Sequence, residues 1–216
     1  DGVNAAQANL KGANLALVAG ATNRQVFSLM AKPEIKRIAD LKGKKIGITR
    51  VGSSTHTSAL YALGSGGLKP SDYQILPLME VPNIFTALAA GQIDAGVMSP
   101  PTNARAKKSG FVELMNVAKE GPEFVSVAVG TSRTYIKANE DTVRRVVRAY
   151  AEGVQMFKTN KSAALKMIQN QLKVKEPEIQ EDTYNQFRDY LEYPPYVSRK
   201  GMEAVLAEIA DPAAKT

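Results

Sequence analysis

The sequence contains no cysteine and only one histidine, and these two scarcities exclude several kinds of chemistry. Without cysteine there are no disulfide bonds, no thiolate metal sites and no cysteine nucleophile. A single histidine, His56, cannot build a transition-metal site with the usual ligands. A serine–histidine–aspartate triad would have to form around that residue, and no Gly-x-Ser-x-Gly motif is present. The composition therefore favours binding over catalysis.

Tryptophan is absent as well, and the longest apolar runs, such as 15–21, are far too short to cross a membrane. With 6 Phe and 8 Tyr, the chain has no evident platform on which nucleic-acid bases could stack. The net charge of +7 can attract anions over long range, although a solvated and mildly basic surface is the simpler interpretation. We therefore expect a globular protein that does not bind nucleic acid.

Strands alternate with helices through the first part of the chain, which is typical of an α/β fold. The clearest run predicts strands at 45–49, 74–78 and 94–98, separated by helices at 55–63 and 83–90. Such alternation implies parallel pairing, and Pro77 indicates an edge strand. Further strands are predicted at 15–19, 26–31, 112–117 and 125–129. From Asn139 onward the pattern is helical.

Two loops follow strands in this run and carry the polar residues expected of a ligand site. The loop 49–55 (Thr-Arg-Val-Gly-Ser-Ser-Thr) offers hydroxyls, a glycine that permits a sharp turn, and the N-terminus of a helix, which attracts anions. Arg50 adds a two-pronged charged donor. The second loop, Met98-Ser-Pro-Pro-Thr102, would lie at the same edge of the sheet, where ligands of open α/β folds bind. The simpler alternatives are a capped helix and a rigid proline turn. For His56 the alternative is a partly exposed helix residue.

These motifs resemble those of type II periplasmic solute-binding proteins. The likeness rests on 40–49 followed by Gly-Ser-Ser-Thr at 52–55, and on 87–96 followed by Ser-Pro-Pro at 99–101, with similar helices at 139–158 and after Pro195. Related proteins of this kind bind nitrate, taurine, aliphatic sulfonates or pyrimidine precursors of thiamine. The resemblance extends along nearly the whole chain.

The resemblance implies a two-lobed α/β fold with ligand held between the lobes. It places lobe I at 1–31 and 123–216, without the N-terminal β-α-β-α part that family members have, and lobe II at 32–122. It implies export to the periplasm, with a signal peptide outside this sequence, and delivery of a small anion to the membrane subunits of an ABC transporter, without cofactor or catalysis. The implied ligand-binding residues are Asn23, Arg24, Gln25, Arg50, Gly52, Ser53, Ser54, Thr55, His56, Met98, Ser99 and Pro100.

Other functions occur on the same architecture. The ligand could be a neutral pyrimidine precursor of thiamine, which would use the same hydroxyls with tyrosine rings. Fungal thiamine-pyrimidine synthases resemble the family but carry a cysteine-rich motif that this sequence lacks. Menaquinone-pathway enzymes and the effector-sensing domains of transcription regulators share the fold too. We expect a transport protein and keep an enzyme or a sensor as the alternative.

Overall fold

The computed structural model describes residues 2–210, which form two compact units. One unit contains residues 25–121, and the other contains 2–24 together with 122–210. The first boundary falls earlier than the predicted end of lobe I at residue 31, because Ser28–Ala31 pairs with strands of the 25–121 unit. The second boundary falls beside the predicted one. Residues 1 and 211–216, which the prediction assigned to lobe I, lie outside the described residues.

Strands and helices alternate as far as Ser132, and helices follow. The strands are β1 (Leu15–Thr22), β2 (Ser28–Ala31), β3 (Lys45–Ile48), β4 (Gln74–Pro77), β5 (Ala95–Met98), β6 (Val112–Asn116) and β7 (Val127–Ser132). The α-helices are α1 (Gly2–Leu10), α2 (Ser54–Ser65), α3 (Val81–Ala89), α4 (Thr102–Lys108), α5 (Val117–Glu120), α6 (Arg133–Ala138), α7 (Glu140–Thr159), α8 (Lys161–Leu172), α9 (Pro177–Tyr190) and α10 (Arg199–Ala210). Short 3-10 helices occupy Ile38–Leu41 and Pro70–Asp72.

The 25–121 unit is built on a five-stranded sheet with the order β4-β3-β5-β2-β6. Strand β3 pairs in parallel with both β4 and β5, which confirms the predicted parallel run. Pro77 ends β4 at the edge of the sheet, where a missing backbone N–H costs nothing. Strand β2 lies antiparallel to β5 and β6, so the sheet is mixed rather than purely parallel.

The strands of this sheet send alternate side chains into two hydrophobic clusters, as their two-residue period requires. One cluster contains Leu29, Ile46, Ile48 and Val97 from the strands, and helix α2 contributes to it. The other contains Met30 and Met98, and helix α3 contributes to it. Helices therefore cover both faces of the sheet, which leaves the loops at the strand ends to form a site.

The other unit is organised around the antiparallel pair β1 and β7. Helices α1 and α10 pack together there, with Val3, Phe124 and Val205 in a buried cluster. Helices α7, α8 and α9 form a second group in which the rings of Phe157 and Tyr184 stand 5.5 Å apart. This unit therefore contains the helical part that the sequence pattern predicted after Asn139.

Candidate functional site

The loops that follow β3 and β5 lie at the same edge of the 25–121 sheet. The two strands are parallel neighbours, with Ile46 opposite Ala95 and Gly47 opposite Gly96. Their carboxyl ends therefore point the same way, and each passes directly into a loop and a helix. The prediction that the loops 49–55 and 98–102 would share one edge is confirmed by this register.

Three hydroxyl groups of the first loop form a closed triangle. Thr49 Oγ1 lies 3.0 Å from Ser53 Oγ and 2.8 Å from Thr55 Oγ1, and the last two oxygens are also 2.8 Å apart. Thr55 Oγ1 accepts the backbone N–H of Thr49 at 2.9 Å, and Ser53 Oγ donates to the carbonyl of Arg50 at 2.7 Å. The triangle gathers shared hydroxyl protons at one place, where an incoming acceptor could receive one of them.

Ser53 occupies the N-cap position of α2, but its hydroxyl does not cap the helix. Its proton goes to Arg50 instead, so this side chain leaves the first-turn N–H groups of the 12-residue helix untouched. The start of a helix carries a partial positive charge together with N–H groups that lack intrahelical partners. The simpler interpretation of the loop as an ordinary capped helix therefore does not describe it, and the arrangement is suited to an anion.

Arg50 extends the positive character of this loop. Its side chain is exposed, and within residues 2–210 its guanidinium makes no hydrogen bond or ion pair. The next residue, Val51, is exposed as well, although valine is usually buried. A guanidinium without an internal partner keeps its donors for a ligand. Arg50 is thus the charged side chain of the loop that can bind an anionic group.

His56 is buried rather than partly exposed, with 3% of its surface accessible. The backbone N–H of Gly52 donates to its Nδ1 atom at 3.1 Å, so Nδ1 carries no proton and the hydrogen of the neutral ring is on Nε2. Burial lowers the pKa of His56 below its usual value of 6.5, which favours the neutral ring. The ring also lines a pocket of about 320 Å³ with Val51, Leu60, Pro70, Tyr73, Gln74 and Ile75.

The second loop contributes backbone rather than side-chain polarity. Ser99 is half-buried, and its carbonyl accepts the N–H groups of Thr102 and Asn103 at 2.9 and 3.1 Å. Pro100 is buried and joins Pro101 through a cis peptide bond. Met98 is fully buried and belongs to a hydrophobic cluster of the sheet, so the structure places it in the core rather than at the surface of the site.

The third predicted segment, 23–25, is divided between the two units. Asn23 is buried, and both ends of its amide are used inside its own unit: Nδ2 donates to the Tyr196 carbonyl at 2.9 Å, and Oδ1 accepts the Ser198 N–H at 3.0 Å. Arg24 is exposed. Gln25 is buried in the 25–121 unit, where its Oε1 accepts the hydroxyl of Ser58 on α2. Asn23 and Gln25 therefore act as internal ties.

A polar network around the buried Ser28 and Asn103, at the same edge of the sheet, was not predicted from the sequence. Ser28, which lies opposite Met98 in the β2–β5 pair, donates its hydroxyl to Glu113 and accepts from Asn103 Nδ2 at 3.1 Å. Lys107 forms an ion pair with the other oxygen of Glu113 at 3.0 Å. The readable signals were a serine that opens a buried strand and an asparagine in the first turn after Pro101. The network links α4 to β2 and β6 below the second loop.

Between Gly2 and Ala210, no three His, Asp or Glu side chains converge where they could hold a metal ion. No helix in this range has both the length and the apolar character needed to span a bilayer.

Residues 2–164 match a family model that is described as NMT1/THI5 like. The chain belongs to the NMT1/THI5-like family. The family prediction made from the two loop motifs is thereby confirmed. Among curated proteins, the taurine-binding periplasmic protein of Escherichia coli (strain K12) is 29% identical over 145 residues, which cover 66% of this chain and 44% of that protein. The chain spans about half the length of the curated relatives it matches.

Solved structures show that this NMT1/THI5-like chain has the fold of periplasmic binding proteins. The alkanesulfonate-binding protein SsuA from Xanthomonas axonopodis pv. citri, solved with bound MOPS, superposes with a TM-score of 0.76 at 25% identity. The match covers 93% of this chain and 68% of that one. The desulfurization enzyme DszB gives a TM-score of 0.68 at 15% identity, covering 95% and 73% of the two chains. The predicted fold is confirmed, and one neighbour on the same fold is an enzyme.

Proposed function

We propose that this NMT1/THI5-like chain is the solute-binding component of an ABC importer and acts in the periplasm. In this proposal it captures a small anion and delivers it to the membrane subunits, and it carries out no reaction. Support comes from relatives that are named as periplasmic binding proteins for taurine and for alkanesulfonates. These names make a sulfonate the first ligand to test, ahead of nitrate and carboxylates.

The observation that carries the proposal is the composition of the 49–55 loop. It combines the hydroxyl triangle, a helix start that the N-cap side chain leaves uncapped, and the guanidinium of Arg50, which has no partner in the described part of the chain. An anion bound there would accept hydrogen bonds from hydroxyl groups that are already oriented, whereas the exposed side chain of Arg50 would become ordered on binding. The guanidinium matches the geometry of an oxyanion with two or three oxygens.

A ligand screen by thermal shift tests this function directly. We expect stabilisation by ethanesulfonate, taurine or MOPS, and weaker or no stabilisation by neutral pyrimidines. A ligand at 100 times its dissociation constant should stabilise the folded protein by about 2.7 kcal/mol. For a chain of this size that corresponds to an upward shift of several degrees. A shift with pyrimidines alone would contradict the anion proposal, and conversion of a bound compound to a product would contradict the absence of catalysis.

The Arg50→Ala variant tests the assignment of the loop, with Lys42→Ala as a matched control. Both changes remove one positive charge from the 25–121 unit, but the two residues lie at opposite ends of β3. Lys42 precedes the strand and pairs with Asp72 at 3.2 Å, whereas Arg50 follows the strand. Strand β3 separates them by about 13 Å at 3.3 Å per residue. By isothermal titration calorimetry, Arg50→Ala should weaken anion binding by about 1.5–3 kcal/mol, and Lys42→Ala should not. Equal losses in both variants would indicate a general charge effect.

A further inference from the structure

The hydrogen bond between Gly52 and His56 closes the loop that precedes α2. Gly52 has a φ of +76°, a backbone conformation that residues other than glycine rarely adopt. Its N–H donates to Nδ1 of His56 at 3.1 Å. The bond spans the turn between Arg50 and the helix. Ser53 N–H donates to the Arg50 carbonyl at 3.2 Å in the same turn. In this bond Nδ1 of His56 is the acceptor that ties the loop backbone to the first turn of α2.

The surroundings of His56 favour a neutral ring. The charged group in its own loop is Arg50, and the cause that lowers the pKa of the ring is its burial. Across the pocket stands Tyr73, and burial, followed by the charge of Asp72, raises the pKa of Tyr73 above its usual value. Of the strands that α2 covers, β5 carries no titratable side chain, and the one on β3 is Lys45, which is exposed at the end of the strand away from the loop. The 3-10 helix with Asp40 packs at the other end of α2, where Ile38 lies against Gly66.

We propose that neutral His56 is a positioning residue for the anion loop, and that protonating it releases the loop and weakens ligand binding. The inference rests on the proposed function, since it assumes that the 49–55 loop holds the anion. The physical reason is that imidazolium has no acceptor. A proton on Nδ1 would face the N–H of Gly52, so a hydrogen bond becomes a contact between two donors. The positive ring would also attract the anion, and the pH dependence decides which effect is larger.

Substitutions at residue 56 separate the acceptor from the charge. His56→Asn keeps an oxygen near the position of Nδ1 and does not titrate in this range, whereas His56→Leu fills the site and offers no acceptor. At about pH 8 we expect His56→Asn to bind ethanesulfonate like the wild type, and His56→Leu to bind about three- to tenfold more weakly. Calorimetry down to about pH 5 should show the wild type weakening below the usual histidine pKa and His56→Asn unchanged. Ethanesulfonate stays ionised throughout this range.

Nuclear magnetic resonance gives a readout that needs no ligand. The sequence has one histidine, so the ring signals of His56 need no assignment by mutation. We expect the ring ¹⁵N shifts to show the Nε2–H tautomer at about pH 8. The Gly52 amide should be protected from hydrogen exchange in the wild type and in His56→Asn, and less protected in His56→Leu and in acidified wild type.

The outcomes distinguish a failed inference from a failed function. Ethanesulfonate affinity that is equal in all three proteins, or that rises in acid for the wild type alone, would overturn the inference. Equal protection of the Gly52 amide from hydrogen exchange in the wild type, His56→Asn and His56→Leu would overturn it as well. If the wild type binds no anion of the panel, the proposed function fails, and the exchange data alone decide whether His56 positions the loop.

Discussion

Replacing Met98 by alanine distinguishes a core residue from a ligand contact. The family resemblance implied Met98 as a ligand-binding residue, at the point where β5 passes into its loop. In the structure its side chain has 0% exposure and packs in the cluster that contains Met30, Ile84 and Ile93. We therefore expect the substitution to act on stability, and to change affinity only as far as the fold is weakened.

The size of the effect follows from the atoms that are removed. Alanine eliminates the terminal methylene, sulfur and methyl groups from a site without solvent access, and such substitutions cost about 2–5 kcal/mol. Met30 in the same cluster is itself flexible and can fill part of the space, so we expect the lower part of that range. A loss of about 3 kcal/mol lowers the melting temperature by about 6–12 °C for a chain of this length. Met98→Leu keeps the volume and should cost less than about 1.5 kcal/mol.

Urea unfolding followed by circular dichroism measures the loss of stability, and calorimetry well below the melting temperature measures affinity. The expected result is a large drop in the unfolding free energy for Met98→Ala, a small one for Met98→Leu, and anion affinities close to the wild type in both. The reasoning is refuted if Met98→Ala binds at least tenfold more weakly while its unfolding free energy is unchanged. Met98 would then contact the ligand.

Two further predictions concern positions where the structure leaves no freedom. Gly96→Ala would place a Cβ atom 2.3 Å from Cγ2 of Ile84, so we expect it to lower the unfolding free energy, measured with urea, by about 1–3 kcal/mol. In the double variant with Ile84→Ala, which removes Cγ2, the total loss should be smaller than the sum of the two single losses, and additive losses would contradict this. Asn23→Ala leaves the Tyr196 carbonyl and the Ser198 N–H without their side-chain partner, so we expect a loss of about 1.5–3 kcal/mol in urea unfolding, which unchanged stability would contradict.

The parallel part of the sheet was predictable because its signals are local. Each of β3, β4 and β5 is a short apolar run followed by a helix with readable ends, and this alternation permits few topologies. The place of β2 was not predictable in the same way. Ser28–Ala31 pairs with β5 and β6, which lie far along the chain, and nothing in its own residues specifies those partners. Helix α6 was not predicted because it is short and has no buried residue, so its sequence shows no helical spacing of apolar residues.

The candidate site was predictable at the level of its loops and less so at the level of single side chains. The 49–55 loop could be singled out because glycine, hydroxyl residues and arginine between a strand and a helix form a readable pattern, and its binding of a ligand stays a prediction. The resemblance implied Met98 as a ligand residue, whereas the structure buries all four residues of β5. The bond between Gly52 and His56 had a readable signal, since a histidine four residues after a glycine can reach back across the first turn of a helix. Tyr73 and Ile75 line the same pocket as His56, and no local pattern connects them with it.

The polar residues predicted to bind ligand differ chiefly in whether their bonds are already made. Both ends of the Asn23 amide are used within its unit, and Gln25 is tied to Ser58, so neither can turn to a ligand without losing an internal bond. The guanidinium of Arg50 has no such bond to lose among residues 2–210. A substitution of Asn23 should therefore change affinity and stability together, whereas Arg50→Ala should change affinity alone. Plotting anion affinity against unfolding free energy for each variant distinguishes residues that contact the ligand from residues that stabilise the fold, without a structure of the complex. An Asn23 variant that lost affinity at full stability would show that its amide exchanges its internal partners for the ligand.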